Sequence, residues 1–207
     1  MARPFKIPPT KSNLLDLQER VVFLEKGYDL LERKRELLTR LVYERLAEYR
    51  SLRSQVQERL TSAYRSLAVT QMRVGSRMLH QAGLGIAPPL RLRILPRSSV
   101  GVQYPSVRVT REELEPVSLL WTDATFDDTR ARMRDLAEIL ARLGEVENVL
   151  RRLLQEQWRT QKRVNALHHN VIPRYQATIH YIQSQLEEEE RNTLFQIQRL
   201  REQGGAD

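Results

Sequence analysis

Residues 12–80 contain no proline, and glycine interrupts them only at Gly27 and Gly75. Apolar residues recur there at alternating steps of three and four, the heptad spacing of a helix that packs along one side against another helix. This first stripe comprises Leu14, Leu17, Val21, Leu24, Tyr28, Leu31, Leu38, Val42, Tyr49, Leu52 and Val56. A helix of this length spans about 100 Å. The chain has only 207 residues, so we expect the helix to pair with another rather than to be buried.

A second stripe follows the same spacing through residues 128–203. Its strict part comprises Ile139, Leu143, Val146, Leu150, Leu153, Gln157, Thr160, Val164, Leu167 and Val171, and a looser part continues through Tyr175, Ile179, Ile182, Leu186, Ile197 and Leu200. Thr125 and Asp128 have the spacing of a capping box, which predicts the helix start. Gly204 and Gly205 predict its end. Pro173 predicts a kink or a local loss of helical hydrogen bonding.

Residues 81–127 have a different pattern. Leu90, Leu92 and Ile94 alternate with arginines, which is the period of a half-exposed strand. Residues 96–99 (Pro-Arg-Ser-Ser) predict a turn. Alternation resumes at Val100, Val102 and Tyr104, and again at Val107 and Val109. The segment therefore predicts a small β-hairpin, with or without a third short strand.

These segments predict a mainly α fold, a long antiparallel two-helix coiled coil with a small β-hairpin insert in the middle. The expected boundaries are an N-terminal tail at 1–11, a long helix at 12–80, the insert at 81–127, a second long helix at 128–203 and a tail at 204–207. Thr10 and Ser12 are the expected start signals of the first helix. Four polar residues interrupt the stripes, and we expect them to fix the helix register or to mark a wider seam: Arg35, Arg45, Gln157 and Thr160.

The residues that carry most enzyme chemistry are sparse. Cysteine is absent, which excludes disulfides, a thiol nucleophile and thiolate metal sites. No glycine-rich loop precedes a Lys-Ser or Lys-Thr pair. His168 and His169 are adjacent, so we expect them to point about 100° apart on a helix and not to chelate one ion alone. We expect no catalytic residues, no metal site and no cofactor. No apolar run approaches about 18 residues, so no direct membrane insertion is expected.

The net charge of +8 is concentrated near the N-terminus, because residues 1–80 hold 16 basic and 9 acidic residues. A basic surface favours nucleic acid, acidic lipid or an acidic protein. The arginines alternate with carboxylates, however, and no basic cluster is interleaved with aromatic residues, so we expect no nucleic acid partner. From the residues alone the chain is a spacer, scaffold or shaft. The alternative is a coiled-coil adaptor whose basic surface binds nucleic acid or an acidic protein.

Seven short motifs occur in order along almost the whole chain: Pro9–Leu15, Glu25–Arg35, Ser99–Pro105, Lys162–Leu167, Val171–Arg174, Thr178–Ile182 and Leu186–Arg191. Together they resemble the D subunits of the V-type and archaeal-type rotary ATPases. The resemblance implies a non-catalytic central rotor shaft that couples ATP hydrolysis or synthesis to proton or sodium transport. It implies as partners the catalytic and non-catalytic nucleotide-binding A and B subunits, the small F subunit and the funnel-like subunit above the membrane ring. It implies a peripheral position on the cytoplasmic side of the membrane.

The resemblance also implies three contact regions. The portion inside the nucleotide-binding hexamer is expected to include Lys11, Asn13, Leu14, Val21, Leu24 and Gly27, with Ile179, Ile182 and Leu186 opposite. A conformationally special stretch near the mouth of the hexamer is expected at Val164, Asn165, Leu167, Ile172, Pro173 and Arg174. The insert is expected to touch the hexamer base or the F subunit through Leu90, Leu92, Ile94, Val100, Gly101 and Val102. Gly27 and Gly144 are either tolerated helix glycines or points where another backbone approaches closely.

Overall fold

The computed structural model describes residues 4–114 and 123–204, with side chains as far as residue 199. The described residues form helices α1 (Lys11–Val74), α2 (Ser76–Leu84), α3 (Ala124–Ala166) and α4 (Ile172–Gly204), with a π-helical turn (Leu167–Val171) between the last two. Two strands, β1 (Leu90–Ser99) and β2 (Val102–Arg111), form one antiparallel pair. The prediction of a mainly α fold with a small β-hairpin insert is confirmed. Gly204 is the last residue of α4, whereas Gly205 lies outside the described residues.

Helix α1 starts where the sequence predicts and ends earlier than expected. The Thr10 hydroxyl accepts a hydrogen bond from the Asn13 amide at 3.3 Å, so Thr10 caps the first turn. The expectation that this helix continues to about residue 80 is wrong, because Gly75 adopts φ +83° and separates α1 from α2. Glycine has no Cβ and takes up this conformation without the steric strain that other residues meet.

Two compact units divide the chain: Met1–Glu36 with Gln157–Asp207, and Leu37–Glu156. In the first unit, the start of α1 runs antiparallel to α4 and the end of α3. The Lys11 ammonium lies 2.8 Å from the Glu190 carboxylate, and the Arg35 guanidinium donates to the Gln161 side chain at 3.2 Å. Partner numbers therefore fall as the α1 numbers rise. The buried apolar residues of this unit are Leu17, Val21, Val164, Ile172 and Ile182.

In the second unit, the rest of α1 runs antiparallel to α3. The Arg132 guanidinium donates to the Ser62 hydroxyl at 2.6 Å, and the Arg73 guanidinium donates to the Asp123 carboxylate at 2.8 Å. Two clusters of buried apolar residues fill the interior. One comprises Leu38, Val42, Val102, Val149, Leu150 and Leu153, and the other comprises Ala63, Leu136 and Ile139. All the described stripe positions of α1 are buried or half-buried, as the heptad pattern predicts.

The hairpin differs from its sequence prediction in two details. The turn lies at Val100–Gly101 and not at residues 96–99, because these two residues adopt φ +51° and φ +76°, the left-handed pair that a two-residue hairpin turn requires. Pro96 instead lies opposite Pro105 within the ladder. A two-stranded sheet has only edge strands, which tolerate proline. Val107 and Val109 belong to β2 itself, so the alternative with a third short strand at these positions is wrong.

The start of α3 also differs from its sequence prediction. The capping contact comes from Asp123, whose carboxylate accepts from the Ala124 amide at 2.6 Å, and not from the predicted Thr125–Asp128 pair. The hydrogen bond from Arg73 holds the pKa of Asp123 below its usual value. Asp123 therefore stays ionised, which suits the positive end of a helix dipole.

Candidate functional site

Helix α1 carries a second apolar surface on the side that faces away from the seam in the first unit. We call Leu15, Val22, Phe23 and Leu30 the outer face, and their exposed fractions are 62%, 50%, 75% and 65%. At about 100° per residue, these positions lie roughly half a turn from the buried stripe. Large apolar side chains that share one exposed face mark an interaction surface more often than single ones do.

The predicted hexamer-contact residues occupy the seam rather than the outer face. Ile182 has no exposed surface and Val21 is 9% exposed, so neither side chain is available to a partner in this structure. Leu14, Leu24, Ile179 and Leu186 are half-buried in the same stripe. The heptad pattern does not single out the outer face, because its residues fall outside the regular repeat. The available signal was the set of apolar residues that fall outside the heptad.

The polar members of that prediction have structural roles at the start of α1. Lys11 and Glu190 form an exposed ion pair, in which the hydrogen bond raises the pKa of Lys11 and lowers that of Glu190. The Asn13 side chain donates to the Pro8 carbonyl at 2.9 Å, which fixes the chain entering the helix. At Gly27, an added Cβ would meet nothing within 4 Å, so no other part of the described chain approaches it closely.

The segment before α1 folds back onto α4, and we call residues 4–10 the strap. The Phe5 amide donates to the Thr178 hydroxyl at 2.9 Å, and that hydroxyl donates to the Arg174 carbonyl at 2.7 Å. The Phe5 ring lies edge-on to Tyr175 at 5.1 Å, and the Arg174 guanidinium lies over it at 4.0 Å. Thr178 is fully buried, so the strap satisfies a polar group inside the first unit.

The predicted special stretch contains the π-helical turn. The Ile172 amide bonds to the Leu167 carbonyl, five residues back, immediately before Pro173. Proline has no amide hydrogen and its ring crowds the carbonyl four residues earlier, so a wider turn accommodates it. Val164 and Ile172 are buried on either side of the turn, Leu167 and Pro173 are half-buried, and Asn165 is exposed, where its side chain accepts from Gln161 at 2.8 Å.

The two adjacent histidines lie in this turn and approach each other. The Nδ1 atoms of His168 and His169 are 3.3 Å apart, and the His168 ring lies 5.4 Å from that of Tyr28. The expectation that the rings point apart is therefore wrong. Among residues 4–114 and 123–199, no group of three or more histidine, aspartate or glutamate residues is arranged to hold a metal ion.

The hairpin is anchored to the helices of the second unit at both of its ends. Near the turn, Val102 is buried in the first apolar cluster and Val100 packs against that cluster. Of the other predicted insert contacts, Leu92 and Ile94 are exposed by 54% and 67%, Leu90 is half-buried and Gly101 lies in the turn. The apolar stretch of β1 is thus open to a partner, whereas Val100 and Val102 hold the hairpin in place.

At the open end of the hairpin, Arg111 on β2 reaches Glu138 on α3. Its Nε donates to the carboxylate at 2.6 Å, and Arg142 donates to the same group at 2.7 Å. Burial alone would raise the pKa of Glu138, but the two guanidinium groups together hold that pKa below its usual value. The buried carboxylate therefore stays charged and links the hairpin to α3.

A cleft lies between the hairpin and the helices of the second unit. It measures about 410 Å3 and is lined by three arginines, two glutamates, a tyrosine and aliphatic side chains: Arg45, Arg97, Arg142, Glu48, Glu145, Tyr104, Leu52, Val107, Val109, Val146 and Val149. The charged groups that line it include no histidine, and its arginines outnumber its carboxylates. The described helices include none that is both long and apolar enough to cross a membrane.

Comparison with known proteins covers nearly the whole chain. The family model for the ATP synthase D subunit matches residues 13–202. The chain is 36% identical over 197 residues to the V-type ATP synthase D subunit of Thermotoga neapolitana, which covers 95% of this chain and 97% of that protein. It is 31% identical over 205 residues to the A-type ATP synthase D subunit of Pyrococcus furiosus, covering 97% and 96% of the two chains. A relative from Methanosphaera stadtmanae, also an A-type D subunit, is 33% identical over 195 residues, covering 92% and 91%.

Proposed function

Because this chain belongs to the family of ATP synthase D subunits, we propose that it is the central rotor shaft of a V-type or A-type ATP synthase. In this role it is not itself catalytic. It transmits torque between the hexamer of A and B subunits, which binds nucleotide, and the ring that moves protons or sodium ions through the membrane. The family assignment over residues 13–202 is the observation that carries the proposal.

The first unit has the two-sided construction that a shaft inside a sleeve needs. On its inner side, buried residues such as Leu17 and Ile182 pack along the seam. This packing opposes separation of the two helices. Its outer face presents Phe23 and Leu30 to the surroundings. We assign this outer face, rather than the seam residues, to contact with the hexamer.

A shaft must also turn within its sleeve, and the exposed charges suit that requirement. Ion pairs such as Arg20–Asp16 and Arg40–Glu44 lie on the surface and join residues of the same helix. Exposed pairs of this kind contribute little energy, so they do not lock the shaft to one orientation. Coupling then arises from contact energies that differ between the states of the hexamer.

The remaining partners in this proposal are the small F subunit and the funnel-like subunit above the membrane ring. The hairpin, with Leu92 and Ile94 exposed, is the candidate contact with the F subunit or with the hexamer base. The proposal places the chain at the cytoplasmic side of the membrane as a peripheral subunit, held there by its partners.

Purification from native membranes tests this proposal. A tagged chain is expected to bring down two nucleotide-binding subunits and ATP hydrolysis activity. The double variant Phe23→Asp with Leu30→Asp, which spares the seam, is expected to lower ATP-driven ion uptake at least tenfold. Tyr43→Asp, at a 69% exposed position in the second unit, is the matched control and should change uptake less than twofold.

Two outcomes would count against the proposed role of the chain, and a third would count only against the assignment of the outer face. One is purification without nucleotide-binding subunits. Another is the recovery of nucleic acid that salt removes, which would support the alternative of a basic coiled-coil adaptor. The third is unchanged ion uptake in the double variant, which would reject the outer face as the hexamer contact while leaving the family assignment in place.

A further inference from the structure

We propose that one face of the hairpin is a docking surface for a carboxylate-rich protein surface. Residues 90–111 contain five arginines and no aspartate or glutamate. Residues directly opposite in an antiparallel ladder share a face, and so do alternate residues along a strand. Arg93 lies opposite Arg108, and Arg91 and Arg97 fall on the same face of β1. We call these four residues the arginine face. Towards the turn this face packs on the helices through Val102, and Arg97 lines the cleft there, whereas Arg91, Arg93 and Arg108 are on its exposed part.

Most of this charge has no neutralising partner within the described chain. Arg91 pairs with Glu112, just beyond β2. Arg93, Arg97 and Arg108 are exposed, and in residues 4–114 and 123–199 none of them has a hydrogen bond or an ion pair. Arg111, which falls on the other face, contrasts with them because Glu138 binds it directly.

The arrangement is unfavourable for the isolated hairpin. Like charges directly opposite on neighbouring strands destabilise a sheet, and two-stranded sheets are marginal in water to begin with. An anion that bridges Arg93 and Arg108 would relieve their repulsion. A guanidinium group matches a carboxylate in two parallel hydrogen bonds, so carboxylates would be held with defined geometry.

The surroundings favour protein carboxylates over the two other anionic partners. The exposed apolar residues Leu92 and Ile94 lie on the opposite face of β1 from the arginines, so a flat bilayer cannot engage both groups at once. Glu48 and Glu145 line the same cleft as Arg97, and they interrupt the continuous positive stripe that a nucleic acid backbone needs. A local acidic protein surface meets neither obstacle.

Binding to poly-L-glutamate tests this inference with the full chain and independently of any ATPase activity. The double variant Arg93→Gln with Arg108→Gln is expected to weaken binding at least tenfold. The matched control, Arg50→Gln with Arg53→Gln, removes the same charge from an exposed site on α1 and should weaken it less than twofold. Arg93→Lys with Arg108→Lys keeps the charge but loses the bidentate geometry, so an intermediate loss is expected.

Thermal unfolding of each variant accompanies the titration. Removing the like-charge repulsion should leave the melting temperature of the Gln variant unchanged or higher, so loss of binding would not reflect unfolding. An equal loss of binding in the hairpin variant and the α1 control would overturn the inference, since net charge alone would then explain binding. Tighter binding to phosphatidylglycerol vesicles or duplex DNA than to poly-L-glutamate, with the same sensitivity to the hairpin variant, would overturn the choice of a protein partner.

Discussion

The two units use the same antiparallel helix pairing but arrange their apolar side chains differently. The second unit encloses two apolar clusters, one of them completed by Val102 from the hairpin. Both units bury threonines: Thr160 and Thr178 in the first are 1% and 0% exposed, and Thr70 in the second is 0% exposed. The first unit also leaves the outer face of α1 uncovered. The second unit therefore gathers its buried apolar side chains into clusters, whereas the first combines an apolar seam with an exposed apolar face on α1.

The largest expected effect tests the apolar interior of the second unit. Leu38 is fully buried and belongs to its larger cluster, and the neighbouring Leu37 is 53% exposed. Leu38→Ala is expected to lower the free energy of unfolding by about 2–5 kcal/mol, because it removes contacts and leaves a cavity. Leu37→Ala should change it by less than about 0.5 kcal/mol. Urea unfolding of both variants measures the difference, and similar values for the two would contradict the described core.

The next prediction concerns the carboxylate that links the hairpin to α3. Glu138→Gln is expected to lower the free energy of unfolding by roughly 2 kcal/mol near neutral pH, since two guanidinium groups lose their anion. Glu147→Gln is the control, because its carboxylate lies in an exposed pair with Arg151 at 3.4 Å. We expect this control to cost no more than about 0.5 kcal/mol.

The effect of Glu138→Gln on the free energy of unfolding should depend on pH. The folded protein holds the pKa of Glu138 below its ordinary value of 4.5, so the carboxylate stabilises the fold above that pH. Its contribution falls away as the pH drops below 4.5 and through the lowered folded-state value. The difference in unfolding free energy between the wild type and Glu138→Gln should therefore shrink as acid is added. A difference that grows in acid would reject the charged, arginine-bound state.

A smaller effect tests the strap of the first unit. Thr178→Val keeps the side-chain shape but removes the hydroxyl that accepts from the Phe5 amide, and we expect a loss of about 1 kcal/mol. Faster hydrogen exchange at the Phe5 amide should accompany it. Thr193→Val is the control, since the Thr193 hydroxyl also bonds the carbonyl four residues back, at 2.8 Å, but at an exposed site. Equal exchange rates at Phe5 in the two variants would indicate that the strap is not held through Thr178.

The smallest effects distinguish two glycines that look alike in the sequence. Gly75→Ala forces a side chain into φ +83° and should destabilise the fold by about 1 kcal/mol. Gly27→Ala meets no neighbour within 4 Å and should stabilise the isolated chain by about 0.5–1 kcal/mol. Thermal unfolding of the two variants measures whether each substitution raises or lowers the stability of the fold. Stabilisation by Gly75→Ala, together with higher helix content by circular dichroism, would show that α1 and α2 can merge.

Long-range periodicity predicted the helices well. Local signals predicted the start of α1 at Thr10 and the altered helical hydrogen bonding beside Pro173, but they misplaced the end of α1 and the hairpin turn. The heptad stripe placed Leu17, Leu38 and Ile182 in buried positions, because burial of an apolar face is a property of the whole helix. The hairpin turn was misplaced because Val100 adopts a positive φ that β-branched residues rarely take. Packing of Val100 against the core overrides that local preference.

In the candidate site, too, periodicity predicts some features and others need the three-dimensional structure. The seam and the outer face of α1 both consist of apolar residues, and periodicity alone assigned the regular set both to the seam and to the expected hexamer contact. Burial is what distinguishes the two sets: Ile182 in the seam is fully buried, whereas Phe23 on the outer face is 75% exposed. The arginine face needed the strand register, because Arg93 and Arg108 are fifteen positions apart in the chain and become neighbours through pairing in the sheet.

Single-molecule rotation tests the central claim most directly. The chain has no cysteine, so Gln81→Cys provides the attachment site within this chain for a bead, at an exposed position on α2. The complex would be fixed to a surface through its nucleotide-binding subunits. We predict stepwise rotation of the bead in one direction when ATP is supplied. ATP hydrolysis at a normal rate, with the bead fixed or moving only by diffusion, would contradict the assignment of this chain as the shaft.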